Sequence, residues 1–376
     1  MSERPASEHT SHKRKLALLL PGHNEELIIH HTIKSAINAG QPLRDIYVVN
    51  DNSTDRTYWR AVAWLGEANV LTVERSGKAG AIAKAIKHFN IEDRYEWLHI
   101  ADADSVFGKH YFRLFRQKLS PKYIAACGFV QTIKSNWISH YRTYLYTFFQ
   151  SIHRRLQFWL GVISVLPGPT TVLRTDILKD LDFFAGTLTE DFDITVQLHR
   201  MHHGKHILFV PEAITYTQEP RTLSDFYKQI SRWHRGFFQV MKRNRVGTRL
   251  QRIDFYLAYT LIEFTFYLTQ IFIFYPITFI YSRDWAIIER FLVSDIMLFG
   301  AFTLLSAVLA RRISIVLGFP LFFVLRLVEQ VVFIKAFIEV IILRKYPASR
   351  AHLGWDTSEA GRRYGLDVGS LQETVS

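Results

Sequence analysis

The first hundred residues alternate short apolar runs with segments of helical spacing. Residues 16–20 form a continuous apolar run that stops at Pro21-Gly22, the pattern of a buried strand entering a loop. Residues 25–38 carry helix periodicity closed by Gly40. Residues 45–50 form a second strand, which runs into Asp51-Asn52-Ser53-Thr54-Asp55, a turn and helix cap. Residues 70–73, 80–89 and 97–101 continue as strand, helix and strand. Strands alternating with helices predict an α/β fold with a doubly wound parallel sheet.

Further on, residues 141–159 are rich in Tyr, Phe, Arg and Trp, which suits either an amphipathic helix lying at a membrane surface or a packed aromatic core helix. Residues 186–200 read as a turn into a helix, and 226–241 as an aromatic and basic helix. After residue 254 the pattern changes. Residues 255–282 hold one charge, Glu263, and residues 286–310 keep theirs (Glu289, Arg290, Asp295) near one end. Each is long enough to cross a bilayer, for which about 20 apolar residues suffice, and Arg311-Arg312 marks a cytoplasmic return. Residues 313–343 are long enough too, but Pro320, Arg326, Glu329, Lys335 and Glu339 interrupt them. A third crossing would leave the basic tail outside, whereas a re-entrant or interfacial segment keeps it inside, where basic residues concentrate. The expected organisation is a disordered basic tail (1–14), a cytosolic catalytic domain (15–250) with interfacial helices at 141–160 and 226–241, a membrane domain (254–343) and a C-terminal tail (344–376).

Composition sharpens this division. The chain has 376 residues, is 48% hydrophobic and carries a net charge of +12. Lys242, Arg243, Arg245, Arg249 and Arg252 cluster just before the first long apolar run. That position favours an anionic lipid surface over nucleic acid, for which no motif is present. A single cysteine, Cys127, excludes an intrachain disulfide and suits a cytosolic domain. The first fifteen residues lack an apolar signal core, so the later segments are expected to direct insertion.

The residues that carry chemistry sit at predicted strand ends and helix starts. Asp102-Ala103-Asp104 follows the strand at 97–101, and ligands of open α/β sheets bind at such ends. Its carboxylates suit a magnesium or manganese ion bridging phosphate oxygens, although Asp104 could equally cap a helix. Asp51 ends the second strand in the same way and is either a hydrogen-bond acceptor for a nucleotide or a turn residue. Ser76-Gly77-Lys78-Ala79-Gly80 opens a helix and offers Lys78 to a phosphate, without the spacing of a P-loop. In Thr189-Glu190-Asp191 a carboxylate could take a proton from an acceptor hydroxyl, or simply complement a helix dipole. Within Gln229-Ile230-Ser231-Arg232-Trp233, Arg232 could pair with a diphosphate and Trp233 could face a sugar ring. Arg/Trp pairs are also common beside membranes. His202, His203 and His206 invite a metal reading, but their spacing is loose and the sequence places no companion carboxylate.

Each motif is weak alone, but their order is specific. Together with Pro21-Gly22-His23-Asn24-Glu25-Glu26 and Val48-Val49-Asn50-Asp51-Asn52-Ser53-Thr54-Asp55, the series resembles the processive family 2 glycosyltransferases over roughly residues 16–240. That family includes cellulose, hyaluronan, chitin-oligosaccharide and poly-N-acetylglucosamine synthases. The resemblance implies a GT-A (Rossmann-like) catalytic domain followed by a C-terminal α-helical transmembrane domain. It also implies a UDP-sugar donor, a divalent cation (Mg2+ or Mn2+) and inverting transfer onto a growing glycan to give a β-linkage.

By the same resemblance Asp51 binds the uridine end, Asp102 the nucleotide and Asp104 the metal, while Asp191 is the general base. Gln229, Arg232 and Trp233 bind the diphosphate and acceptor, with Lys78 and Glu190 completing the substrate-binding set. Residues 209–213 and 219–223 look closest to the poly-N-acetylglucosamine and chitin-oligosaccharide branch, which points to UDP-N-acetylglucosamine. Pro167-Gly168-Pro169 is similar to the family's acceptor-side loop.

The chain also departs from its relatives. Ala83 stands where Asn is frequent, no membrane helix is expected ahead of the catalytic domain, and the membrane part is short. Three routes are open: short products, action as a homo-oligomer, or addition of a single sugar to a lipid-linked (polyprenyl-phosphate) acceptor. The Gln-x-x-Arg-Trp motif argues against the last. A degenerate binding protein is disfavoured by the complete acidic set. The implied location is the plasma or inner membrane, with the catalytic domain in the cytoplasm.

Overall fold

The computed structural model describes residues 14–133, 135–183, 186–201, 206–269 and 273–345. The N-terminal tail up to residue 13, the C-terminal tail from residue 346, and His202 and His203 lie outside the described residues.

Eight strands form one sheet: β1 (Arg14–Gly22), β2 (Ile46–Asp51), β3 (Val70–Val73), β4 (Tyr95–Ile100), β5 (Val106–Phe107), β6 (Tyr123–Thr132), β7 (Thr171–Arg174) and β8 (His206–Thr217). Their order is β3-β2-β1-β4-β7-β6-β8-β5. The half β3-β2-β1-β4 is parallel, with Leu18 opposite Ile46 and Leu16 opposite Trp97. In β1 alternate residues feed opposite faces: Ala17 and Leu19 join one core layer, Leu16, Leu18 and Leu20 the other. A strand buried on both faces therefore reads as an unbroken apolar run.

The doubly wound parallel expectation holds only for this half. β7 runs antiparallel to both β4 and β6, and β5 antiparallel to β8, so the sheet is mixed. The chain leaves β6, makes a long helical excursion through α6 and α7 and re-enters the sheet at the end where β6 stopped, which makes β7 antiparallel to it.

The N-terminal helices are α1 (Ile29–Asn38), α2 (Thr57–Leu65), α3 (Gly77–His88), α4 (Ile91–Arg94) and α5 (Tyr111–Lys118). The predicted helix from residue 25 begins only at Ile29. The amides of Glu25 and Glu26 donate to Thr57 Oγ1 and Asp55 Oδ2, which holds this stretch as a turn against the loop after β2. The aromatic segment 141–159 belongs to α6 (Trp137–Phe148), a π-turn (Phe149–His153) and α7 (Arg154–Leu160). α6 is largely buried, whereas α7 exposes Leu156 (50%) and Trp159 (80%). The packed-core reading thus describes one half and a surface helix the other. After β7 come α8 (Glu190–Met201) and, beyond β8, α9 (Leu223–Arg243).

The C-terminal part holds α10 (Arg252–Thr269), α11 (Tyr275–Ser282), α12 (Trp285–Leu309) and α13 (Phe319–Phe337). Two helices, Trp285–Leu309 and Ile313–Ile342, are long and apolar enough to cross a membrane. The stretch 255–282, expected as one spanning helix, is shared between α10 and α11. The first turn of α10 is bound to the α/β unit: Asp254 is 2% exposed and ion-paired with Arg200 at 2.6 Å.

The charges that obscured residues 313–343 face protein partners. Arg326 meets Asp295 at 3.3 Å, Glu329 accepts from Tyr141 at 3.0 Å, Lys335 donates to Tyr227 at 2.7 Å and Glu339 pairs with Arg235 at 2.6 Å. Pro320 lies in the first turn of α13, where its missing N–H costs nothing.

Candidate active site

Four elements deliver the predicted residues to one place. β4 ends at Ile100 and the chain proceeds directly to Asp102 and Asp104. α3 opens with Lys78, α8 opens with Glu190 and Asp191, and α9 carries Gln229, Arg232 and Trp233. All eight of these residues line one cavity of about 1080 Å³.

Asp51 lies behind the cavity wall. It is fully buried, and its two carboxylate oxygens accept the amide protons of Ser76 (2.7 Å) and Gly77 (2.9 Å). It thus clasps the end of β2 to the loop that presents Lys78.

Lys78 is the electrostatic centre. Its Nζ lies 2.6 Å from Asp102 Oδ1 and 2.7 Å from Glu190 Oε1, so it bridges the β4 edge to the start of α8. Burial disfavours the ammonium, but the charges of Asp102, Glu190 and Asp191 outweigh it and raise its pKa. Burial likewise opposes the Glu190 carboxylate, yet Lys78 and then Arg232 hold its pKa below the usual value. Asp191 goes the other way: burial, reinforced by the neighbouring Glu190 charge, raises it to about 6. Its Oδ1 accepts from the Phe192 amide at 2.8 Å and its Oδ2 from the Gly168 amide at 3.3 Å.

Asp104 is pushed to about 7 by burial and by the charge of Asp102. Two half-buried carboxyl groups that repel each other beyond a strand end would be relieved by a cation. Among the described residues no group of three or more His, Cys, Asp or Glu converges on a metal position. A two-carboxylate set fits a magnesium-type ion whose other ligands are phosphate oxygens and water.

On the α9 side, Arg232 Nη1 donates to Leu188 O at 3.4 Å, while its buried Nε has no hydrogen-bond partner among the described residues. A half-buried guanidinium on the cavity wall, with its Nε unpaired among the described residues, is suited to an anion. Gln229 Oε1 accepts from Arg142 at 2.8 Å, and the Arg142 guanidinium lies 4.6 Å from the Trp233 ring centroid. One face of Trp233 is therefore already covered.

Gly168 lies in the loop that the resemblance sets on the acceptor side, whereas Gln150, Arg142 and Arg154 carried no site assignment from the sequence. A Cβ on Gly168 would stand 3.0 Å from Asp102 Oδ2 and 3.1 Å from Lys78 Nζ. The bare backbone of the Pro167-Gly168-Pro169 loop is what brings it between the β4 edge and Asp191. Gln150, in the π-turn, exchanges both amide hydrogen bonds with Val130 at the end of β6; π-turns recur at functional sites. Arg142, Arg154 and Glu219 are buried charges, and for Arg142 and Arg154 the available signal was a cation inside an aromatic run.

Residues 13–236 match the model of a family described as glycosyltransferase like family 2. The chain is 25% identical over 250 residues to a poly-beta-1,6-N-acetyl-D-glucosamine synthase of Staphylococcus epidermidis, covering 64% of this chain and 59% of that protein. It is 29% identical over 238 residues to the probable glycosyltransferase YdaM of Bacillus subtilis, covering 59% and 55%. The chain thus spans less than two thirds of the length of these relatives. Among solved structures, it is similar to the mannosyltransferase PcManGT from Pyrobaculum calidifontis with a TM-score of 0.47 and 16% identity, over 66% of this chain and 70% of that one. The family match covers well over half of the chain, and the mixed sheet has the GT-A form with acidic residues at its strand ends: this chain belongs to the glycosyltransferase-like family 2.

Proposed function

We propose that the protein transfers a sugar from a UDP-sugar, with UDP-N-acetylglucosamine the best candidate, to the hydroxyl of a growing glycan with inversion, giving a β-linked product. The observation that carries this reading is the Lys78 bridge between Asp102 and Glu190, with Asp191 beside it and the spare Arg232 donor on the same wall. Asp191 takes the proton of the acceptor hydroxyl, whose oxygen attacks the anomeric carbon as the bond to the β-phosphate oxygen breaks. Lys78 and Arg232 meet the charge that develops on the departing diphosphate. Asp102 and Asp104 would hold a divalent cation, which would supply further charge neutralisation at the diphosphate. Gln229 and Trp233 form the acceptor side.

The wider organisation belongs to the same proposal. The α/β unit faces the cytoplasm, α12 and the helix from residue 313 embed in the inner or plasma membrane, and lipids and a homo-oligomer are its partners. The named synthase relatives, matched over part of their length, support a polymeric product.

Detergent-purified protein incubated with a panel of labelled UDP-sugars and Mn2+ or Mg2+, beside Asp191→Asn, tests the reading. A size ladder from one donor, missing in the variant, is expected. A single-sugar lipid product would replace glycan synthesis with single transfer, and turnover undiminished in Asp191→Asn would remove Asp191 as base.

A further inference from the structure

Arg142 is 2% exposed, sits in the middle of α6 and points its guanidinium at α9. Such burial of an arginine is rare without full pairing. Here the planar group lies against two rings of α9, with centroid distances of 4.8 Å to Phe226 and 4.6 Å to Trp233. Its Nη2 donates to Gln229 Oε1 at 2.8 Å. Two carboxylates complete the set: Glu219, two residues beyond β8, lies 3.6 Å from Nε, and Glu329, on α13, lies 3.5 Å from Nη1. Glu329 also accepts the Tyr141 hydroxyl at 3.0 Å.

Gln229 and Trp233 are four residues apart on α9 and so share one helix face. Arg142 touches both. We infer that Arg142 is a positioning residue that fixes the acceptor-side pair Gln229 and Trp233, and that Glu329 on the apolar helix α13 fixes Arg142 in turn. The inference rests on the acceptor role proposed above for Gln229 and Trp233. Its physical basis is geometric. A ring held by a cation on one face keeps a single orientation, and the amide of Gln229 keeps its oxygen toward Arg142 and its nitrogen free for a hydroxyl. Lysine is no substitute, since it has neither the planar stacking surface nor the fork of donors. A shift of α13 would move Glu329 and, through Arg142, the acceptor face. Donor-side residues Lys78, Asp102 and Asp104 make no contact with this cluster in the hydrogen bonds and ion pairs among the described residues.

The test uses full-length Arg142→Met, Arg142→Lys, Glu329→Gln and Trp233→Phe, with Arg142→Met/Trp233→Phe as the double variant. Arg142→Met is expected to raise the acceptor KM at least tenfold while the KM for the UDP-sugar stays within twofold. Arg142→Lys should recover less than half of that change and Glu329→Gln should raise the acceptor KM about threefold. The double variant should lose less than the product of the two single losses, because both changes disturb the same Trp233 contact while only Arg142→Met also releases Gln229. Equal effects on donor and acceptor KM, or losses that multiply in the double variant, would overturn the inference. Should Arg142→Met not fold, Arg142→Lys and Glu329→Gln still carry the KM comparison. If the unmodified protein turns over no UDP-sugar, the proposed function fails by itself. The positioning inference is then read from the fluorescence difference between Trp233-containing and Trp233→Phe protein, which must change when Arg142 is replaced by Met.

Discussion

Replacing Lys78 by methionine keeps the length of the side chain and deletes the cation that bridges Asp102 and Glu190. The structure sets the scale. The two ion pairs measure 2.6 and 2.7 Å, and the side chains of Lys78, Asp102 and Glu190 are 19%, 32% and 19% exposed. Breaking a fully buried pair costs about 3–5 kcal/mol because a charge is left unpaired. Partial exposure screens these groups, and a discount for that gives about 2–3 kcal/mol. For a unit of this size the loss corresponds to a fall in melting temperature of about 4–12 °C.

The pH dependence follows from the directions of the shifts. Lys78 is the largest cause lowering Glu190, and it opposes the rise of Asp191 and Asp104. Without it all three folded-state pKa values move up. A carboxyl group whose folded pKa exceeds its unfolded value destabilises the fold above the unfolded pKa, and the penalty disappears as pH falls and the group takes its proton. The deficit of Lys78→Met is therefore full at pH 8 and at least halved at pH 5. Thermal unfolding of the detergent-solubilised protein at both values, with Lys78→Arg as the charge-retaining control, measures it. Equal stability at pH 8, or a deficit that widens at pH 5, would refute the electrostatic account.

Other outcomes follow from neighbouring contacts. With Asp191 near 6, its carboxylate form grows as pH rises, so initial transfer rates should climb through pH 6 to a plateau, and Asp191→Asn should lower kcat about 10²–10⁴-fold without loss of nucleotide binding. Gly236→Ala would set a Cβ 2.4 Å from Thr189 Oγ1, where α9 crosses the start of α8; a cost of about 1–3 kcal/mol and a more than tenfold lower kcat are expected in unfolding and rate measurements. Asp51→Asn turns one acceptor toward Ser76 and Gly77 into an N–H donor, so the loop carrying Lys78 should loosen by about 1.5–3 kcal/mol, read as a raised KM for the UDP-sugar.

How far the sequence discloses this molecule depends on whether the signal is local. β1, β2, β3 and β4 are legible because each is a short apolar run stopped by turn residues, and the carboxylates follow from their places at the ends of those runs. β7 is not legible. It has four residues, and its direction is set by the path of the chain through α6 and α7 rather than by its own side chains. Asp51 illustrates a different limit. Its place at a strand end suggests a nucleotide contact; that its two oxygens also accept the amides of Ser76 and Gly77 is visible only in the fold. Gly168 was visible as a glycine between two prolines. That its missing side chain is what lets the loop lie against Asp102 and Lys78 depends on packing between segments some 65 residues or more apart in sequence.

The C-terminal helices show why hydropathy alone misjudges a mixed segment. Residues 313–343 look poorly suited to an apolar environment because charge is counted without direction. In three dimensions Glu329, Lys335 and Glu339 turn toward Tyr141, Tyr227 and Arg235, and Arg326 turns toward Asp295 on α12. Leu321, Val324, Leu327 and Val331 stay exposed on the other side. The polar positions of α13 are thus docking residues, and its outer face is as apolar as that of α12. The consequence reaches the site. Phe226 and Ile230 of α9 share one buried cluster with Phe322, Leu325 and Val332 of α13, while Phe333 and Lys335 line the same cavity as Asp191. α9 therefore has two obligations at once. It packs its apolar residues against the C-terminal helix and presents Gln229, Arg232 and Trp233 to the cavity, so the seating of α13 and the geometry of this cavity wall are one structural problem.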